Sequence, residues 1–243
     1  MIKEEFRILS TTAILGYGFP IASFEEGMKR NPHLIAVDAG STDPGPYYLG
    51  AGVSFTDRDA VKRDLEIMIK AGVERGIPVS IGTAGGSGGE PHLEWNREII
   101  EEIARENDLH FKLAVIHAEL PKDFIKKELS DGRITALAPA PDLTAEAVDN
   151  TTRIVAQMGV PPFIEAHKNR AQVILAGRAY DPAVFAALAV LEGYDMGLAT
   201  HLGKILECAA ICAIPGSGAD CMFGYIGEDY FRIEPLSSLR KCT

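Results

Sequence analysis

The chain is poor in cysteine, in aromatic residues and in positive charge. Its 243 residues include four cysteines and one tryptophan, and only 7% of the sequence is aromatic. Lysine and arginine total 24 against 34 aspartate and glutamate residues, which gives a net charge of −10 at pH 7. Because nucleic acids and anionic membrane surfaces repel a chain of this charge, we expect neither to be a partner.

Long hydrophobic runs are also absent. A transmembrane helix needs about 20 predominantly apolar residues. The most apolar stretch, 184–214, is interrupted by Glu192, Asp195, His201, Lys204 and Glu207. This stretch therefore predicts buried helices. Residues 1–7 mix charges of both signs where a secretory signal needs a basic start and an apolar core, so we expect a cytoplasmic protein.

The few cysteines lie close together in the last part of the chain. They are Cys208, Cys212, Cys221 and Cys242, and no two of them have the C-x-x-C spacing of zinc or iron–sulfur ligands. A metal site is one interpretation of the clustering. Free, partly buried thiols in a reducing cytoplasm are the favoured one.

What the sequence does contain is an alternation of short apolar runs with amphipathic helical patterns. Such an alternation favours a mostly parallel sheet flanked by helices, in an open, Rossmann-like three-layer α/β arrangement over residues 1–243 as one domain. A partial or irregular βα barrel is the alternative, although a complete barrel needs more strands than the sequence offers. The predicted strands are Arg7–Thr12, Leu34–Val37, Val79–Gly82, Lys112–His117 and Val173–Ala176.

Helix starts are predicted from capping residues and prolines. Their positions are Ser23, Thr56-Asp57, Pro91, Thr144 and Asp181-Pro182. The Thr144 helix is expected to run towards Met158, and 133–137 is a further candidate strand.

A glycine-rich loop follows the third predicted strand. Glycines can adopt positive φ and turn several N–H groups towards an anion, and a following helix adds its positive end. The loop lacks both G-x-G-x-x-G and the phosphate-loop pattern, so it predicts an anion site without naming a nucleotide. A flexible surface loop is the alternative. Its candidate ligand-binding residues are Thr83, Gly85, Gly86, Ser87, Gly88 and Gly89.

Other predicted strands also end in polar residues. Because ligands of parallel α/β proteins bind beyond the carboxyl ends of the strands, these residues are expected to share a site. Asp38 is a candidate for proton transfer, or a residue that merely caps the turn after it. Ser41, Thr42 and Asp43 follow it and are candidates for ligand binding.

The remaining strand ends supply a histidine, a second acid and an arginine. His117 and Glu119 would share a face if the strand continued, so that the carboxylate could orient the imidazole for acid–base catalysis. Arg178 could clamp a carboxylate or phosphate, with pairing to Asp181 as the alternative. Asp181 is itself a candidate ligand-binding residue.

A helical segment near residue 204 is the last candidate. His201, Lys204 and Cys208 are spaced to lie on one helical face, which places His201 among the candidate ligand-binding residues and Lys204 among the catalytic ones. A desolvated lysine can have a lowered pKa, but a Lys204–Glu207 surface pair is the favoured alternative. No G-x-S-x-G or H-E-x-x-H motif occurs, which disfavours common hydrolase classes.

Four of these motifs together resemble the acyclic terpene utilisation (AtuA-like) family. They are Val37–Pro46, Gly82–Gly89, Ala176–Pro182 and Gly203–Cys208. The resemblance implies a role in bacterial catabolism of acyclic terpenes such as citronellol and geraniol, whose acids are handled as CoA thioesters. Members of the family continue well past residue 243, so it also implies a further C-terminal part that could complete the site.

These observations lead to three hypotheses. We expect an enzyme, a lyase or isomerase, that acts on a carboxylate or acyl-CoA by hydration, dehydration or isomerisation, with Lys204 stabilising charge. A non-catalytic ligand-binding or accessory subunit is the second hypothesis. A metal-dependent enzyme that uses Asp38, Asp43, His117 or His201 is the third, although we assign no metal. A homo-oligomer is expected, with a partner subunit or a missing C-terminal domain as further partners.

Overall fold

The chain folds around one open, mixed sheet. The computed structural model describes residues 4–243, and within them the strand order is β4-β5-β3-β2-β1-β6-β7. The first five strands are mutually parallel, while β6 and β7 run antiparallel. The strands are β1 (Phe6–Ser10), β2 (Leu34–Asp38), β3 (Val79–Gly82), β4 (Leu113–Ile116), β5 (Val173–Ala176), β6 (Met222–Ile226) and β7 (Phe231–Pro235).

Helices cover both faces of this sheet. They are α1 (Ile21–Lys29), α2 (Tyr47–Ala51), α3 (Arg58–Arg75), α4 (Glu90–Glu106), α5 (Lys122–Ser130), α6 (Ala145–Asn150), α7 (Val160–Lys168), α8 (Ala183–Leu191) and α9 (Met196–Leu206). One core contains buried side chains of α1, α3 and α4, and a second contains those of α7, α8 and α9. The predicted open three-layer α/β arrangement is confirmed.

The chain reverses its direction of winding between two neighbouring strands. After β3 it passes through α4 to β4 at one edge of the sheet, and after β5 it passes through α8 and α9 to β6 on the far side of β1. Strands β3 and β5 are adjacent and parallel, with Ile81 paired to Leu175. Such a reversal opens a crevice at the carboxyl ends of the two strands, where ligands of this class of fold bind.

Two strands coincide with their prediction and two were missed. β3 and β5 have the predicted bounds, because each is a short, fully buried run, with a glycine as the last residue of β3 and as the first residue after β5. β6 and β7 were not predicted. The candidate strand at 133–137 is wrong, since those residues are largely exposed and irregular and pair with no strand.

Capping residues predicted some helix starts but not every helix length. The Asp57 side chain accepts hydrogen bonds from the amides of Asp59 and Ala60 at the start of α3. The Thr144 hydroxyl caps α6 at Ala147, but α6 ends at Asn150 because the chain then becomes extended and forms isolated bridges. The predicted start at Ser23 is wrong, since α1 begins directly after Pro20.

Membrane-spanning segments are not found in the described part of the chain. Within residues 4–243, no helix combines the length and the apolar composition that crossing a bilayer requires.

Candidate functional site

The glycine-rich loop is a buried, tightly packed turn. Residues 83–89 are all buried, and Thr83, Gly85, Gly86 and Gly88 have positive φ angles of 47°, 59°, 89° and 72°. A Cβ at Gly88 would lie 2.1 Å from the backbone nitrogen of Arg178, which donates to the Gly88 carbonyl at 3.1 Å. The surface-loop alternative is therefore wrong: the loop packs against the residues that follow β5.

The helix end behind this loop already holds a carboxylate of the chain itself. The amide of Glu90, the first residue of α4, donates a hydrogen bond of 2.8 Å to Oε2 of Glu119. Nε of Arg153 lies 3.6 Å from the same oxygen. Glu119 thus caps α4 in the position where sequence reasoning expected an external anion.

His117 has a different partner from the predicted one. Its Nδ1 lies 2.9 Å from Oε1 of Glu90, and both side chains are more than half exposed. Strand β4 ends at Ile116, so His117 and Glu119 do not share a strand face. The expected His117–Glu119 pair is wrong, because the Glu119 carboxylate is engaged by the start of α4.

Arg178 is the buried cation of the site. The residue is only 8% exposed, and its guanidinium makes one long hydrogen bond, of 3.4 Å from Nη2 to the Gly86 carbonyl. Within residues 4–243 no carboxylate forms an ion pair with it, so the predicted alternative of an Arg178–Asp181 pair is wrong. Burial lowers the pKa of Arg178, and the nearby charges of Asp38 and Asp181 oppose that effect.

A pocket of about 400 Å³ opens beside this guanidinium. One part of its wall is polar and carries hydroxyl, amide and guanidinium groups, whereas another part is apolar. The lining residues are Ser41, Thr42, Gly45, Pro46, Leu49, Ser87, Val155, Gln157 and Arg178. Four predicted ligand-binding residues, Ser41, Thr42, Ser87 and Arg178, are therefore brought together. A larger groove between α1 and residues 233–242 lacks these strand-end residues.

An acidic cluster contains the last residue of β2 and residues that follow β5 and α9. Carboxylate oxygens of Asp38, Asp181 and Glu207 lie within 4.8 Å of one another. Nζ of Lys204 lies 2.8 Å from Asp181 and 2.7 Å from Glu207. These three carboxylates are a possible set of cation ligands, but the Lys204 ammonium already supplies a positive charge to two of them.

The charge state of Lys204 follows from these contacts. Partial burial lowers the pKa of Lys204, but its hydrogen bonds to Asp181 and Glu207 outweigh that effect and raise the pKa above its usual value. The predicted Lys204–Glu207 pair is confirmed, and Asp181 is an added partner. A lysine held in its charged form suits charge stabilisation rather than proton abstraction.

Asp38 holds its proton unusually strongly. It is 2% exposed at the end of β2, and burial, followed by the charge of Asp181, raises its pKa to about 7. A hydrogen bond from Thr83 opposes this rise. The turn-capping alternative is also present in weak form, since the amide of Gly40 lies 3.4 Å from Oδ1 of Asp38. A carboxyl group of this kind can donate or accept a proton near neutral pH.

Other predicted residues lie elsewhere. The His201 ring packs edge-on against Phe231 of β7, 4.9 Å between ring centroids, and Asp43 is exposed. Helix α9 ends at Leu206, so Cys208 does not continue its face. Of the four residues that the metal hypothesis offers as alternatives, Asp38 is the one that lies in the cluster of possible cation ligands found in residues 4–243.

Sequence reasoning missed much of the pocket wall. Val155 and Gln157 come from the extended segment after α6, where Val155 bridges to Glu119. Arg153 of the same segment donates to the Gly50 carbonyl at 2.7 Å and so joins α2 to the site. Glu207 was considered only as a partner of Lys204, and the spacing of three residues was its one signal.

Comparison with known proteins gives a family match. The family model of the acyclic terpene utilisation family protein AtuA matches residues 57–217, more than half of the chain. The matched range contains the glycine-rich loop, Glu119, Arg178 and Lys204, while Asp38 precedes it. No curated protein and no solved structure matches the chain.

Proposed function

The chain belongs to the acyclic terpene utilisation family AtuA, and from this premise we propose that it is an enzyme acting on a branched organic acid or its CoA thioester. The reaction is a hydration, dehydration or isomerisation by proton transfer. The substrate's carboxylate or thioester carbonyl binds at Arg178, and its hydrocarbon chain lies along the apolar wall of the pocket.

The observation that carries this proposal is the buried guanidinium of Arg178, which forms no ion pair with a carboxylate of residues 4–243. An arginine taken out of water without a carboxylate partner is costly, and a bound anion offsets that cost. Its planar group suits bidentate binding of a carboxylate. The neighbouring hydroxyls of Ser41 and Ser87 add hydrogen-bond donors, and Leu49 and Val155 suit an alkyl chain.

Asp38 supplies the proton transfer in this proposal. A pKa of about 7 lets the carboxyl group exist in both protonation states at neutral pH. Asp38 interacts electrostatically with Arg178, so substrate charge at the guanidinium and the proton on Asp38 influence one another. Lys204 offsets part of the negative charge of the neighbouring acids Asp181 and Glu207.

The test measures the exchange of carbon-bound protons of the substrate with the solvent. The full chain is incubated in D₂O with the CoA thioester of the acid of geraniol, and deuterium uptake and water addition are followed by mass spectrometry. We expect catalysed exchange that falls about 100-fold or more in Asp38→Asn. Asp43→Asn, an exposed acid of the same loop, is the matched control and should retain the rate. Exchange that is equal in Asp38→Asn and wild type contradicts the assignment of Asp38.

A ligand-binding accessory subunit is the second candidate. The nearly complete burial of Asp38, together with the engagement of Glu119 in capping α4, favours this alternative. It predicts that the same thioester binds in a calorimeter while no exchange occurs in the isolated chain.

A further inference from the structure

Two exposed cysteines lie side by side at the C-terminal end of the described chain. Cys212 is the last residue of a 3₁₀ helix, Ala209–Cys212, and Cys242 follows β7. Between them the backbones of Ile214 and Lys241 form a reciprocal antiparallel bridge, with N–H to carbonyl distances of 2.8 and 3.1 Å. The bridge lies two residues after Cys212 and one residue before Cys242, so it brings the segments that carry the two thiols together, and the two thiols influence each other electrostatically.

The other two cysteines are buried or half-buried and are less accessible to an oxidant. Cys221 is completely buried beside Asp220. The thiol of Cys208 is half-buried and hydrogen-bonds to Glu207, and burial followed by that bond raises its pKa to about 12. Among the cysteines of residues 4–243, only Cys212 and Cys242 are exposed, and they lie on segments joined by a backbone bridge.

We propose that Cys212 and Cys242 form a reversible intramolecular disulfide and are a redox modification site of this protein. The oxidant is a small disulfide of the glutathione class. Overall, two protein thiols and one oxidised glutathione give one protein disulfide and two reduced glutathiones, so atoms and electrons balance. This inference does not depend on the ligand pocket.

The disulfide forms in two exchange steps. The S–H of Cys212 donates to the Ala209 carbonyl at 3.4 Å, and burial raises the pKa of both thiols. One of the two cysteines loses its proton and attacks the glutathione disulfide, which releases one glutathione thiolate that takes up a proton. The other cysteine then loses its proton, attacks the protein sulfur of the mixed disulfide and releases the second glutathione.

The bond would constrain the C-terminal part of the fold. It would close a ring that contains β6 and β7 and would tie the 3₁₀ helix that follows Glu207 and Cys208 to the segment after β7. A cross-link of this length restricts the unfolded chain more than the folded one. We therefore expect the oxidised chain to have a higher Tm than the reduced chain.

The experiment equilibrates the reduced full chain with mixtures of reduced and oxidised glutathione. Thiols are then blocked in denaturant and the sites are identified by tandem mass spectrometry. We expect loss of two thiols per chain, a Cys212–Cys242 cross-link, an increase in Tm and reversal by dithiothreitol. Cys212→Ser and Cys242→Ser should each abolish the cross-link and the Tm increase. Cys208→Ser is the matched control and should retain both.

Three results would overturn the proposal. One is a mixed glutathione disulfide that persists at Cys242 in the wild type. The others are dimers cross-linked between two chains, or unreacted Cys212 and Cys242 in fully oxidised glutathione. Because the single serine variants alter exposed residues, a change in their folding is detected independently by their Tm under reducing conditions.

Discussion

The backbone amide of Glu90 donates a hydrogen bond to Oε2 of Glu119, 2.8 Å away. This contact fills the N-terminus of α4 with a carboxylate of the chain, so the glycine-rich loop has a structural role before any ligand arrives. Nearby, Arg178 carries a positive charge that no carboxylate of residues 4–243 pairs with, and the loop holds this residue through the carbonyls of Gly86 and Gly88. The candidate anion site is therefore displaced from the helix end to the guanidinium.

Replacing Glu119 with alanine should destabilise the fold. The variant loses the acceptor of the Glu90 amide and leaves Arg153 without its carboxylate. Loss of a helix cap costs about 1 kcal/mol, and we expect a decrease of about 1–2 kcal/mol in the free energy of unfolding, measured with urea. Glu94→Ala, which removes an exposed pair with Arg97 on the same helix, should cost at most about 0.5 kcal/mol. Equal effects of the two variants would contradict the capping role.

Gly88→Ala should have a larger effect than its conformation alone explains. The new Cβ would lie 2.1 Å from the backbone nitrogen of Arg178, so the loop or the segment after β5 must move. Gly76→Ala is the matched control, because Gly76 also has a positive φ, +66°, but nothing lies within 4 Å of its Cβ position. We expect a loss of about 1 kcal/mol for Gly76→Ala and at least about 3 kcal/mol for Gly88→Ala, measured by urea unfolding. Similar losses would show that the loop is not tightly packed against Arg178.

Asp38 should make stability depend on pH. Its pKa rises from 3.8 in the ordinary, unfolded environment to about 7 in the fold, so the folded chain binds the extra proton between these values. The stabilising contribution of Asp38 to the free energy of unfolding is therefore complete below about pH 4 and is lost as the pH rises through 7. The loss amounts to about 4 kcal/mol when the whole interval is crossed.

Asp38→Asn should remove this dependence. The free energy of unfolding is measured for wild type and Asp38→Asn from pH 4 to pH 8. As the pH rises, the wild type should lose stability relative to the variant. Parallel pH profiles for the two proteins would show that Asp38 has an ordinary pKa.

The fold was predictable where local sequence decides the structure. The runs at Val79–Gly82 and Val173–Ala176 are buried on both faces and read as apolar strands without knowledge of their neighbours. The antiparallel strands β6 and β7 were missed, since β6 joins the sheet by pairing with β1, at the other end of the chain. Nothing in the sequence near Met222 specifies that partner.

The residues of the candidate site were likewise predictable only where local sequence decides their position. The positions of Asp38 and Arg178 followed from the rule that ligands meet the carboxyl ends of parallel strands. The contacts that build the rest of the site did not follow from this rule. His117 binds Glu90 rather than Glu119, and Val155 reaches the pocket through a bridge to Glu119, both of which are contacts between separate segments. Motif spacing describes one segment at a time and does not specify such contacts.

Calorimetric titration with the acid of citronellol tests the central claim, that Arg178 binds the anionic end of the ligand. Wild type should bind the carboxylate, and Arg178→Gln should bind at least about 10-fold more weakly, because a hydrogen bond to a charged group contributes about 1.5–3 kcal/mol. Arg97→Gln, which alters an exposed arginine of α4, should leave the affinity unchanged. Binding that is equally tight in wild type and in Arg178→Gln, with both proteins folded, would contradict the claim.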